Sequence, residues 1–107
     1  MLYGVDLVVV RENEEDGTIE EVFVKSLELP FVPTVGMRFD YEGSSWIWEM
    51  ERDSFSPSVV EVVYDLAEER FGAIFRVSSS HGRLGSSFWE GPLDRSRHEW
   101  RAYLEEG

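Results

Sequence analysis

From Leu2 to Val10 the chain is apolar and rich in β-branched residues, with Asp6 as its only charge. Valine loses side-chain freedom against the preceding turn of a helix but packs well on a pleated surface, so this run predicts a largely buried strand. Arg11 to Gly17 interrupts it, and Asp16-Gly17 is a strong turn dipeptide. From Thr18 to Leu29 the pattern alternates, with Ile19, Phe23, Leu27 and Leu29 on one parity and Val22 and Val24 on the other. Residues 2–29 therefore predict a β-hairpin.

Pro30-Phe31-Val32-Pro33 cannot sit in a central strand, because each proline removes a ladder donor and fixes φ. The segment predicts an extended connection pinned to the core by Phe31, Val32 and Val35. Met37, Phe39 and Tyr41 then alternate with Arg38 and Asp40, and Trp46, Trp48 and Met50 alternate with Ile47 and Glu49. With Glu42-Gly43-Ser44-Ser45 as the turn between them, residues 37–52 predict a second hairpin. Residues 58–70 fit two states. Ser58-Val59-Val60-Glu61 resembles a helix capping box, whereas Val59, Val60, Val62, Val63 and Tyr64 are strand formers. The second property favours a strand over 59–66 and a third hairpin over 59–79. Leu93, Trp100, Tyr103 and Leu104 fall near helical spacing after Pro92, which predicts a C-terminal helix over about 93–105.

The fold expected from these elements is mainly β, within the α+β class. It is a small curled antiparallel sheet, or a partly open barrel, of five or six strands with a C-terminal helix. A chain of 107 residues, 42% hydrophobic and 14% aromatic, suits one domain over residues 1–107.

The charge narrows the function. Acids outnumber bases by 22 to 10, a net charge of −12. The imbalance lies in residues 1–69, with seventeen acids against four bases, while residues 70–107 carry six arginines against five acids. Direct attraction to nucleic acid or to an anionic membrane is disfavoured. The start of the chain lacks the basic flank and apolar stretch of a secretory signal, and no apolar run nears the roughly 20 residues of a membrane span. With no cysteine, disulfides and thiolate chemistry are excluded, and a cytoplasmic setting is expected.

Catalytic and metal-binding patterns fare poorly. Glu12, Glu14, Asp16 and Gly17 imitate the start of a calcium loop, but Phe23 stands where a bidentate carboxylate is required. His81 and His98 belong to no ligand-spaced cluster. Glu49 and Glu51 share a strand parity, as a catalytic pair would, yet that parity reads as the solvent face. The serines before His81 lie on no nucleophile elbow, and the Ser/Gly loop around Arg83 lacks the lysine of a phosphate cradle. No cofactor, metal or catalytic residue is expected. Phe39, Tyr41, Trp46 and Trp48 are more informative: cross-strand packing explains most of the cluster, and a partner-facing patch is the alternative use.

The function expected is that of a non-enzymatic acidic binding protein that acts on a basic, nucleic-acid-binding protein partner and does not itself bind nucleic acid. In size and charge alone the chain is similar to small acidic inhibitors and nucleic-acid mimics: nuclease immunity proteins, anti-CRISPR proteins and phage anti-defence proteins. The expected partner-binding residues are Glu12, Glu14, Glu15, Asp16, Glu20 and Glu21 on the first hairpin, then Asp40, Glu42, Glu49 and Glu51 on the second. The alternative is a structural or adaptor module, such as an assembly factor, a phage component or an accessory subunit, whose acids only secure solubility. Contiguous acids without matching arginines favour the first reading, and interspersed signs favour the second.

Overall fold

The computed structural model describes residues 1–43, 46–48, 57–78, 84 and 87–90. Four strands form one open sheet: β1 (Tyr3–Glu12), β2 (Ile19–Leu29), β3 (Glu61–Asp65) and β4 (Arg70–Ser78). Their order is β2-β1-β4-β3. The hairpins β1–β2 and β3–β4 are antiparallel, as expected within 2–29 and 59–79, and the ambiguous 59–66 stretch holds a strand over Glu61–Asp65 rather than a helix. β1 and β4, however, run parallel, with Val5 beside Phe71 and Val9 beside Phe75. The sheet is therefore mixed and, among the described residues, it has four strands in place of the five or six expected and does not close into a barrel. β1 and β4 are the two most continuously apolar strands, and strands buried on both faces gain most from lying side by side in the middle.

Each central strand feeds both faces. On one face Val5, Leu7, Val9, Phe23, Ala73, Phe75 and Val77 join Ile47, Trp48, Val59 and Trp89 in the larger core. On the other, Val8, Val10, Val22, Val24 and Ile74 form a second buried cluster with Ile19. The edges carry the polar residues, with Glu20, Ser26 and Glu28 exposed on β2.

The hairpin expected over 37–52 is not formed as such. Arg38 makes a single bridge to Ser58, and Trp46–Trp48 is one turn of 3-10 helix. The reason is burial. Ile47 and Trp48 are adjacent yet both pack into the same core on one face of the sheet, whereas neighbours on a strand point to opposite faces. Trp48 packs on Phe75 and Trp89, with ring centroids 4.8 and 5.0 Å apart, and its indole N–H donates to the Phe39 carbonyl. In the connection between the two hairpins Pro33 is fully buried and Val32 half-buried, while Phe31 and Val35, also expected to pin it, are exposed. Backbone hydrogen bonds from Gly36 to Val59 and from Val59 to Met37 hold it in place. Residues 44–45 and 49–52 of the expected second hairpin, and the whole C-terminal helix expected over 93–105, lie outside the described residues.

One arginine ties the open end of the sheet together. Arg70, the first residue of β4, donates through Nε to Asp6 on β1 at 2.9 Å and through Nη2 to the carbonyls of Val5 and Leu27. It spans three strands, and Gly4 makes room for it: a Cβ at Gly4 would lie 2.7 Å from the Arg70 Nη1.

Candidate partner-binding surface

The first hairpin places its six candidate acids in two settings. Arg11 pairs with Glu20 and Glu21, both at 3.0 Å, because the register shifts between Arg11 and Glu12 and both glutamates come within reach of one guanidinium. Arg76 pairs with Glu12 at 3.0 Å, a contact that follows from the parallel β1–β4 register. These three acids have matching arginines within the chain. Arg76–Glu12 and Arg11–Glu20 are partly exposed, and such pairs contribute about 0–1 kcal/mol, while Arg11–Glu21 is the more buried pair.

Glu14, Glu15 and Asp16 stand exposed in the turn between β1 and β2. The turn is held by its own side chains. The Asn13 carboxamide oxygen accepts from the backbone N–H groups of Glu15 and Asp16, at 2.8 and 3.3 Å. Asp16 accepts from both the hydroxyl and the backbone N–H of Thr18, at 2.7 and 3.0 Å. Gly17 adopts a φ of 72°, a conformation that glycine takes without steric cost. The two Thr18 hydrogen bonds, the hydroxyl first, lower the pKa of the Asp16 carboxyl from its ordinary value by favouring the charged form. The calcium-loop imitation ends differently: its Asp16 and Glu12 oxygens face Thr18 and Arg76. Among the described residues no group of three metal-ligating side chains occurs.

Of the four acids expected on the second hairpin, Asp40 and Glu42 are exposed and flank Tyr41, while Glu49 and Glu51 lie outside the described residues. Glu42 and Gly43 are both left-handed, with φ of 52° and 73°, which makes a tight reversal. The aromatic cluster divides. Trp48 is core, Phe39 is half-buried against Phe75, and Tyr41 and Trp46 are 45% and 39% exposed. Phe88 completes an edge-to-face trio with them, and the Lys25 ammonium lies 5.0 Å from the Phe88 ring centroid. The sequence did not single out Lys25, whereas the aromatic Phe88-Trp89 pair is legible as a segment that docks on the sheet: Glu90 bridges Val24 and the Trp89 indole donates to the Ile47 carbonyl.

An open hollow of about 470 Å³ lies beside the first turn, lined by Glu12, Asn13, Glu14, Gly17, Arg76, Val77 and Ser78. Its arginine is already engaged by Glu12. Among the described residues no charged or polar side chain is buried, and no helix is long and apolar enough to cross a membrane. No family model matches the chain, and no curated protein or solved structure does so either.

Proposed function

We propose that this chain is a non-enzymatic binding protein of the cytoplasm that presses an acidic turn against a basic, nucleic-acid-binding protein and inhibits it by occupying the place of a phosphate backbone. The observation that carries this reading is the turn at Glu14, Glu15 and Asp16. Its acids are exposed, and the Asn13 and Thr18 hydrogen bonds order the loop before any partner arrives. A preordered charged loop loses little conformational entropy on binding, and its field steers the approach of a cation. Glu12, Glu20 and Glu21 belong to the same proposed surface, where arginines of the same chain partly offset their charge. Those arginines favour the second reading, an adaptor module whose charges of both signs only solvate its surface.

The test is capture from an extract of the source cells, with the chain immobilised and washed at low and then high salt. The proposal expects one or a few basic proteins that bind DNA or RNA, released by salt and displaced by added DNA, and no binding of DNA by the chain alone. Partners that are neutral and resist both salt and DNA would instead support the adaptor.

A further inference from the structure

Tyr41, Trp46 and Phe88 are far apart in sequence or separated by a turn, yet their rings meet. Centroids lie 5.5 Å apart for Tyr41 and Trp46, 6.2 Å for Tyr41 and Phe88, and 6.4 Å for Trp46 and Phe88. The interplanar angles of 81°, 67° and 83° set each ring edge-on to the other two. Part of the trio is a stabilising contact, as edge-to-face rings generally are. Exposure of Tyr41 and Trp46 distinguishes it from the Trp48 cluster beneath, while Phe88 is half-buried against that core. Tyr41 is 45% and Trp46 39% exposed, while Trp48 is 0% exposed.

Two features say what chemistry these ring faces accept. The chain's only lysine, Lys25, places its ammonium 5.0 Å from the Phe88 centroid, so one face already holds a cation. Exposed Asp40 and Glu42 flank Tyr41, adding negative charge beside negative ring faces. A second copy of the chain, itself at −12, is a poor occupant, and a nucleic-acid strand would meet carboxylates of its own sign.

We infer that the Tyr41–Trp46–Phe88 trio is an anchor for an arginine side chain of the basic partner. This rests on the reading of the chain as an acidic binding protein and adds the residues that give it grip. Arginine suits the site better than lysine: its planar guanidinium stacks on Trp and Tyr and is more weakly hydrated than an ammonium. Carboxylates at the turn set the rate of approach, and the rings set how long the complex lasts.

The experiment titrates the intact chain with fluorescein-labelled oligo-arginine and oligo-lysine peptides of equal length, at physiological salt, and reads anisotropy. The expected result is tighter binding of the arginine peptide, weakened roughly tenfold in Tyr41→Leu/Trp46→Leu. Lys25→Gln, which removes the competing cation from beside the Phe88 ring, should tighten it more than Arg38→Gln, which removes the same charge elsewhere. That comparison leaves the trio intact, so it stands even where the double variant folds poorly. Equal binding of both peptides, with Lys25→Gln matching Arg38→Gln and with sensitivity only to Glu14→Gln/Glu15→Gln, overturns the anchor and leaves the acidic reading standing. Failure of both peptides to bind overturns both. Binding of a single-stranded oligothymidine that Tyr41→Leu/Trp46→Leu abolishes would make the trio a base-stacking site instead.

Discussion

Two regions of one hairpin carry acids under opposite conditions. Along the body of β1–β2, Glu12, Glu20 and Glu21 face Arg76 and Arg11, above strands whose Val8, Val9 and Val10 are fully buried. At the tip, Glu14, Glu15 and Asp16 are exposed, and the loop is shaped by Asn13, Gly17 and Thr18. The difference teaches that sequence neighbours of the same charge do different work. The body pairs its acids with arginines of neighbouring strands, whereas the tip holds Glu14 and Glu15 outward on a turn that Asp16 and Asn13 shape.

That contrast breaks most readily in the body. Leu7→Ala removes a side chain only 1% exposed in the larger core and should cost about 2–5 kcal/mol in urea denaturation. A cost under about 1 kcal/mol would mean that the body is not the rigid part of the hairpin. Arg70→Met comes next. It frees the Val5 and Leu27 carbonyls and leaves Asp6 with Ser26 as its other hydrogen-bond donor, which should cost about 1–3 kcal/mol by the same assay.

At the tip the expected effects are small. Glu14→Lys/Glu15→Lys should leave stability within about 0.5 kcal/mol, or raise it by relieving self-repulsion in a chain at −12. A large loss of stability there would erase the distinction between the two regions. The smallest effect concerns protonation. The Asp16 carboxyl titrates below its ordinary value in the folded chain, so its stabilising contribution is present above the unfolded value and is lost as pH falls through the folded one. Thr18→Val removes the hydroxyl that contributes most to this, and NMR titration should show the Asp16 midpoint moving up toward the usual range.

Both hairpins that formed were legible because their signals are local. Asp16-Gly17 fixes one turn, and the β-branched run from Val59 to Val63 outweighs a capping box that serves no helix. The parallel pairing of β1 with β4 was not legible, since the spacing of apolar residues says that a strand is buried but not which way its neighbour runs. The Arg76–Glu12 pair was hidden for the same reason. By contrast, Arg11 opposite Glu21 could have been read by folding the sequence back about Asp16-Gly17. The 37–52 reading failed because alternation over five residues also fits a short irregular segment, and Ile47 beside Trp48 was the sign that both would turn inward.

The most direct test of the central claim is the association rate of the intact chain with its captured basic partner, measured by stopped flow across ionic strength. For the native chain the rate should be high at low salt and fall steeply as salt rises. Glu14→Lys/Glu15→Lys should slow association about tenfold or more at low salt while leaving dissociation nearly unchanged. An association rate indifferent to salt and to these two substitutions would contradict the account.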